Sequence, residues 1–129
     1  MGRVTGLGGI FLKSNDPEKL HQWYEKHLGL PRDRGRQAVV FKWRDSEDRE
    51  KSGSTLLAFF PKDTKYFHPS HSSFMVNLRV SDLDGLLRVL REEGVEIDEH
   101  REEYEYGRFA WILDPEGNRI ELWEPRQGR

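Results

Sequence analysis

The chain has no cysteine among its 129 residues. That excludes disulfides and every thiolate metal site, and it implies no redox compartment. Apolar residues are also scarce, at 35%, where ordinary domains carry ~45–50%. No sign of charge dominates: Lys and Arg number 21, Asp and Glu 23, for a formal net charge of −2. A disordered chain pairs low hydrophobicity with high net charge; this one has only the first. The near balance gives no sign of a nucleic-acid or membrane partner. The longest unbroken apolar run, LLAFF, is far too short for a membrane span, and no signal peptide is visible. The expectation is a soluble cytoplasmic protein, one domain over 1–129, with a thin core and a heavily charged surface.

What the chain does have is a repeat. FLKSNDPEKLHQWYEKHLGL from Phe11 and NLRVSDLDGLLRVLREEGVEI from Asn77 both read as strand, acidic cap, amphipathic helix and glycine stop. Late in each half, STLLAFFP (54–61) matches NRIELWEP (118–125). The spacing predicts one unit used twice, over 4–61 and 74–125, with 62–73 as linker.

Each unit can be read locally. Asp16 can cap the first helix, Pro17 suits its first position, and Gly29 stops it. Leu20, Trp23, Tyr24, His27 and Leu28 recur at helical spacing. In the second unit, Ser81 and Asp84 resemble a capping box, Leu83, Leu86, Leu87 and Leu90 form the stripe, and Gly94 ends it. Strand-like runs follow in both halves: AVVFKW and STLLAFF, then YGRFAWIL and NRIELWE. The order β-α-β-β-β, twice, is an α+β arrangement in which each helix covers one face of its sheet.

The motif D-P-x-K-L-x-x-W-Y-x-x-x-L-G-L from Asp16, with D-P-E-G-N-x-I-E-L from Asp114, resembles the vicinal oxygen chelate superfamily of glyoxalase I, extradiol dioxygenases and bleomycin-resistance proteins. The resemblance covers roughly residues 4–125 and implies tandem βαβββ modules. These form a curved, U-shaped mixed sheet around a cavity, in a likeness that is often homodimeric. It fixes no reaction, because one scaffold hosts many functions. In metal-using members, four ligands come from the first and fourth strands of each module. Carried over by motif, those places are Gly9, Leu57, Met75 and Glu121. Only Glu121 can bind a metal, and a divalent transition-metal site normally needs at least three nitrogen or oxygen side chains. Residues 1–15 and 51–62 hold no other His, Asp, Glu or Cys within reach of a register shift. His71 could enter only through a large register error, and His68 and His71 read as solvated loop residues. The expectation is no metal and no cofactor.

Strand alternation then defines what the cavity contains instead. Leu7, Phe11 and Lys13 share a face with Gly9; Asn77 and Arg79 with Met75; Arg119 and Trp123 with Glu121. The opposite set, Ile10, Leu12, Val76, Leu78, Val80, Ile120 and Leu122, is wholly apolar and suits the helices. Tyr104, Tyr106, Arg108 and Trp111 lie nearby in EEYEYGRFAW. The candidate ligand-binding residues are therefore Phe11, Lys13, Met75, Asn77, Arg79, Tyr104, Tyr106, Arg108, Trp111, Glu121 and Trp123. Glu121 is also the candidate catalytic base. Each has a plainer role beside it. Lys13 and Arg79 can snorkel to solvent, Phe11 and Trp123 can be core, and Tyr104 and Tyr106 can be edge residues. Glu121 can pair with Lys13 or Arg79, and His27 can be a packing residue.

The favoured reading is a metal-free protein that binds a small, partly aromatic or anionic molecule. The alternatives are a lyase, isomerase or dioxygenase-type enzyme, and a structural or regulatory dimerisation module.

Overall fold

A computed structural model describes residues 2–126. Its elements are β1 (Arg3–Ser14), α1 (Pro17–Leu28), β2 (Val39–Arg44), β3 (Ser52–Pro61), β4 (Phe74–Ser81), α2 (Leu83–Glu92), β5 (Glu102–Tyr104), β6 (Gly107–Leu113) and β7 (Arg119–Pro125). The strands form one curved mixed sheet in the order β2-β3-β1-β4-β7-β6-β5. Each half contributes a parallel pair, β1 with β3 and β4 with β7. The halves join through antiparallel β1 and β4. The first-half counterpart of β5 is a single bridge, Asp33 to Ala38. No helix is long and apolar enough to cross a membrane among the described residues.

Local signals act where the sequence places them. Asp16 caps α1 by accepting from the Lys19 amide at 3.1 Å, Pro17 follows, and Gly29 takes a left-handed φ of 67°. In α2 the cap is Asp82, which accepts from Gly85 N at 3.1 Å, instead of the expected Ser81–Asp84 box. Asp84 turns outward to Arg101 and Arg108. The first amide of α2, on Leu83, donates instead to Glu124 Oε1 at 2.6 Å. That bond satisfies an orphan helix donor and ties β7 to the helix behind it.

The two faces of the sheet carry two cores. Val80, Leu83, Leu87, Ala110 and Leu122 pack between the sheet and α2, with Leu86 and Leu90 of the predicted stripe. Phe11, Phe67, Met75, Phe109, Trp111 and Trp123 form the other cluster on the concave face. The helix α1 is less well covered. His21, not His27, is its buried histidine, and it packs with Tyr24 on Phe59. Trp23 and Leu28 remain half exposed. The apolar stripe was centred one position too far round the helix.

The strand β1 shifts register against β4 twice, between Val4 and Gly6 and between Leu7 and Gly9. Leu7 pairs with Leu78, but the next pair is Gly9 with Asn77, so Gly8 is an extra residue. Between the two shifts, at Gly6 and Leu7, the alternation is reversed. Leu7 therefore shares the helix-side face of Leu78, rather than the cavity face expected for it.

Candidate functional site

One row of partners crosses the sheet at the cavity: Leu56 on β3, Gly9 on β1, Asn77 on β4 and Glu121 on β7. Leu57 falls in the neighbouring row with Ile10, Val76 and Ile120, which faces the helices. The motif carry-over for β3 was thus one residue out, and a one-residue slip exchanges the two faces. The cavity encloses about 350 Å³, within the ~300–1,000 Å³ of small-molecule sites. Six aromatic residues line it, Phe11, Phe60, Tyr66, Tyr106, Phe109 and Trp123, beside small and aliphatic ones such as Ala38, Leu56 and Ala58.

Glu121 forms the floor and is 2% exposed. Asn77 Nδ2 donates to its Oε1 at 2.6 Å, and Trp111 Nε1 to its Oε2 at 3.0 Å. The Tyr66 hydroxyl also donates to Oε2. Among the described residues it has no salt-bridge partner, so the expected pairing with Lys13 or Arg79 is replaced by three uncharged donors. Burial pushes the Glu121 carboxyl above its ordinary value; the bonds from Tyr66, Asn77 and Trp111 and the Arg119 charge oppose this. Burial, followed by the charge and hydrogen bond of Glu121, raises the Tyr66 hydroxyl in turn. Tyr66 therefore stays protonated and remains a donor at neutral pH.

The strand positions explain these contacts. The Asp114–Asn118 turn sets the start of β7: Asp114 Oδ1 accepts from the amides of Glu116 and Asn118, both at 2.9 Å. Gly117 has a φ of 80°, which suits glycine at that place. Gly8 sits against the floor. A Cβ there would lie 2.0 Å from Asn77 Oδ1, an atom that has no hydrogen-bond partner. The bulge glycine, more than Gly9, thus allows the close approach between β1 and the Asn77 side chain.

Of the eleven candidates, Phe11, Asn77, Tyr106, Glu121 and Trp123 line the cavity. Trp111 and Met75 lie beneath its surface, at 1% and 0% exposure. Lys13 stays on the inner side with its Nζ 5.6 Å from the Phe67 ring centre. Arg79 is buried between Trp43 and Trp123. Tyr104 stacks on Tyr106 and donates to Glu102, which pushes its hydroxyl up to about 12. Arg108 lies apart from the rest. It pairs with Glu124 across the sheet and reaches Asp84 of α2, because strand alternation gives the inner face to Phe109 and Trp111. Phe109, Leu56, Tyr66 and Arg36 were missed. Parity with Trp111 could have found Phe109; Tyr66 and Arg36 come from loops, where period-two reasoning has no hold.

The residues present do not fit a divalent metal ion. The row around Glu121 offers Leu56, Gly9 and Asn77, and the Asn77 amide is turned with its N–H₂ toward the carboxylate. Three donors already occupy that carboxylate. His68 and His71 are exposed in the linker. Among the described residues no three His, Cys, Asp or Glu side chains are grouped as a metal site would need.

The family model "Glyoxalase/Bleomycin resistance protein/Dioxygenase superfamily" matches residues 6–122. The chain belongs to that superfamily. No curated protein matches it. Among solved structures, this superfamily member is similar to a methylmalonyl-CoA epimerase from Mycobacterium tuberculosis, at 25% identity and TM-score 0.60, covering 95% of this chain and 89% of that one. The Streptomyces coelicolor epimerase variant in complex with 2-nitronate-propionyl-CoA has TM-score 0.67 at 18% identity, with coverage of 95% and 99%. A superfamily member from Vibrio splendidus has TM-score 0.57 at 15% identity, with coverage of 96% and 99%. The last two likenesses concern the fold alone.

Proposed function

We propose that this glyoxalase-superfamily chain binds a small, partly aromatic or anionic molecule in its concave cavity, without a metal. The observation that carries this reading is the cavity itself: about 350 Å³ with six aromatic lining residues, over a floor of Asn77, Glu121 and Tyr66. Stacking surfaces supply affinity, and a few fixed polar groups supply orientation. The test is a thermal-shift screen of small aromatic and anionic compounds, with elemental analysis of the protein after exposure to Ni²⁺, Zn²⁺, Fe²⁺ and Mn²⁺. Ligand-dependent stabilisation with negligible bound metal is expected. About one ion per chain, lost in Glu121→Gln, would sink the metal-free reading.

A second reading, an isomerase-type proton transfer by Glu121, is favoured by one observation. The buried carboxyl is held above its ordinary value, as a general base working near neutral pH requires. Incorporation of solvent deuterium into a bound ligand, abolished by Glu121→Gln, would separate catalysis from simple binding. The exposed Val4, Leu7 and Ile10 along β1 support the expected homodimer. Sedimentation at micromolar concentration tests it, and a purely monomeric species would remove it.

A further inference from the structure

Arg79 is 8% exposed, and an arginine keeps its charge when buried. Its guanidinium has five N–H donors to place. Among the described residues its one hydrogen bond runs from Nη1 to the Ser54 carbonyl at 3.2 Å. Its remaining nitrogens are not sealed from solvent. The guanidinium lies 5.0 Å from the ring centres of both Trp43 and Trp123. Those rings attract a cation but supply no counter-charge. Gly8 makes the position possible, since a Cβ there would stand 3.1 Å from Arg79 Cγ.

No carboxylate is salt-bridged to this cation among the described residues. The charge that acts on it is another arginine, Arg36, which together with burial lowers its proton affinity. Arg36 stands on the loop before β2 and lines both the main cavity and an adjoining hollow of about 320 Å³. Its Nη1 donates to Ser54 Oγ at 2.7 Å. One residue, Ser54, therefore holds both guanidiniums, one through its hydroxyl and one through its carbonyl. Asp33 lines the same hollow as Arg36; its Oδ1 accepts from the amides of Gly35 and Arg36, at 2.9 and 3.1 Å, and among the described residues it forms no ion pair with either guanidinium. Two fixed cations with free donor capacity repel one another until an anion joins them, and guanidinium forks match planar or tetrahedral oxyanions.

We propose that Arg36 and Arg79, joined by Ser54, form the seat for an oxyanion, a carboxylate or a phosphate. It would be carried at one end of a ligand whose apolar body lies in the aromatic cavity. This rests on the cavity reading above and names the charged end of that ligand. Trp123 belongs to both parts, as a wall of the cavity and a face of the Arg79 sandwich.

The test uses three probes of one ring size: phenyl phosphate, benzoate and the uncharged benzamide. Calorimetry measures binding at low and high salt, and tryptophan fluorescence, compared with that of Trp43→Phe, reports on the Arg79 sandwich. The wild-type chain is expected to bind at least one anion about tenfold more tightly than benzamide, with the advantage shrinking as salt rises. Arg36→Gln is partly exposed and should fold normally; it should remove most of that advantage and leave benzamide unchanged. Arg79→Lys keeps the charge without the fork and should lower anion affinity in the same selective way. The stronger anion identifies the oxyanion. Equal wild-type affinity for anions and benzamide, or equal losses for all three in Arg36→Gln, would overturn the seat and leave the cavity reading intact. Silence from all three probes also overturns the seat. The cavity reading falls only if the wider thermal-shift screen is silent too.

Discussion

Two arginines flank the Asn77–Glu121 row. Arg119 lies two residues before Glu121 on β7, and Arg79 pairs with Trp123 two residues after it. Both are 8% exposed. Both lie between two aromatic rings, Arg119 at 5.7 Å from Tyr66 and 4.8 Å from Trp111, Arg79 at 5.0 Å from each of its tryptophans. They differ in what answers the charge. Arg119 donates to the Tyr66 carbonyl and reaches Asp98 at 3.3 Å. Arg79 reaches one carbonyl and faces another cation. Burial and aromatic packing alone therefore do not separate a structural cation from a binding one; the presence of a counter-charge does. The Arg119 end is held by the linker and carries its own counter-charge. The Arg79 end is unfinished without a ligand.

The largest expected effect breaks this comparison directly. Arg119→Met should cost about 2–4 kcal/mol in urea unfolding, because it strips partners from Tyr66 and Asp98. Arg79→Met should change stability by less than about 1 kcal/mol, or raise it, since it removes an uncompensated buried charge. Equal losses in the two variants would mean that Arg79 is structural after all.

Gly8→Ala comes next, at about 1–3 kcal/mol, because its Cβ would overpack the Asn77 side chain. It should disturb the Asn77–Glu121 floor first and the Arg79 end after it, seen as a change in tryptophan fluorescence. A fully stable Gly8→Ala with unchanged fluorescence would show that the bulge has room to spare.

A smaller effect concerns pH. Glu121 binds its proton more tightly folded than unfolded. Its contribution to stability is complete below the ordinary value of 4.5 and is lost as pH rises through the raised folded value. Asp84, Glu102 and Asp114 are shifted down, so their changes fall at lower pH and with opposite sign. Stability measured upward from pH 5 should decline in the wild type and stay flatter in Glu121→Gln. Parallel curves would remove the buried-carboxyl account.

The smallest effect lies on the outer face. Asp84→Asn breaks ion pairs to Arg101 and Arg108 whose members are 32–52% exposed. The loss should stay under about 1 kcal/mol and fade in high salt. A larger, salt-insensitive loss would mean that the back of the sheet is held more by charge than by its leucines.

Much of this fold is legible in the sequence, because its signals are local and repeated. Asp16, Pro17 and Gly29 bound α1 as read, and the apolar face of Val76, Leu78, Ile120 and Leu122 lies on the helix side. Glu121 is recognisable as an inward carboxylate from the family motif, and the wholly apolar opposite face supports that register. What sequence reading loses depends on pairing. The β3 parity is set by its partnership with β1, so Leu57 and Leu56 exchange roles. The reversal at Leu7 needs a bulge that three nearby glycines permit but do not announce. Tyr66 caps Glu121 from a linker 55 residues away in sequence, and no local period encodes such a contact. Arg108 leaves the cavity for a simpler reason: its parity is opposite to that of Phe109 and Trp111, so nearness in the chain does not bring it to their face.

The extra residue in β1 acts as a reading-frame shift written into a strand. Downstream of Gly8, Phe11 and Lys13 turn inward; just upstream the phase is opposite, until the shift at Thr5 restores it, and Leu7 stands exposed beside Leu78. Deleting Gly8 would leave Leu7 opposite Leu78 and Gly9 opposite Asn77, so the ladder would become regular and both faces would be kept. A slip that instead paired Gly8 with Leu78 would send Leu7 to the face of Asn77 and Arg79. One residue of register therefore separates a strand that leaves that space open from one whose own leucine would enter it.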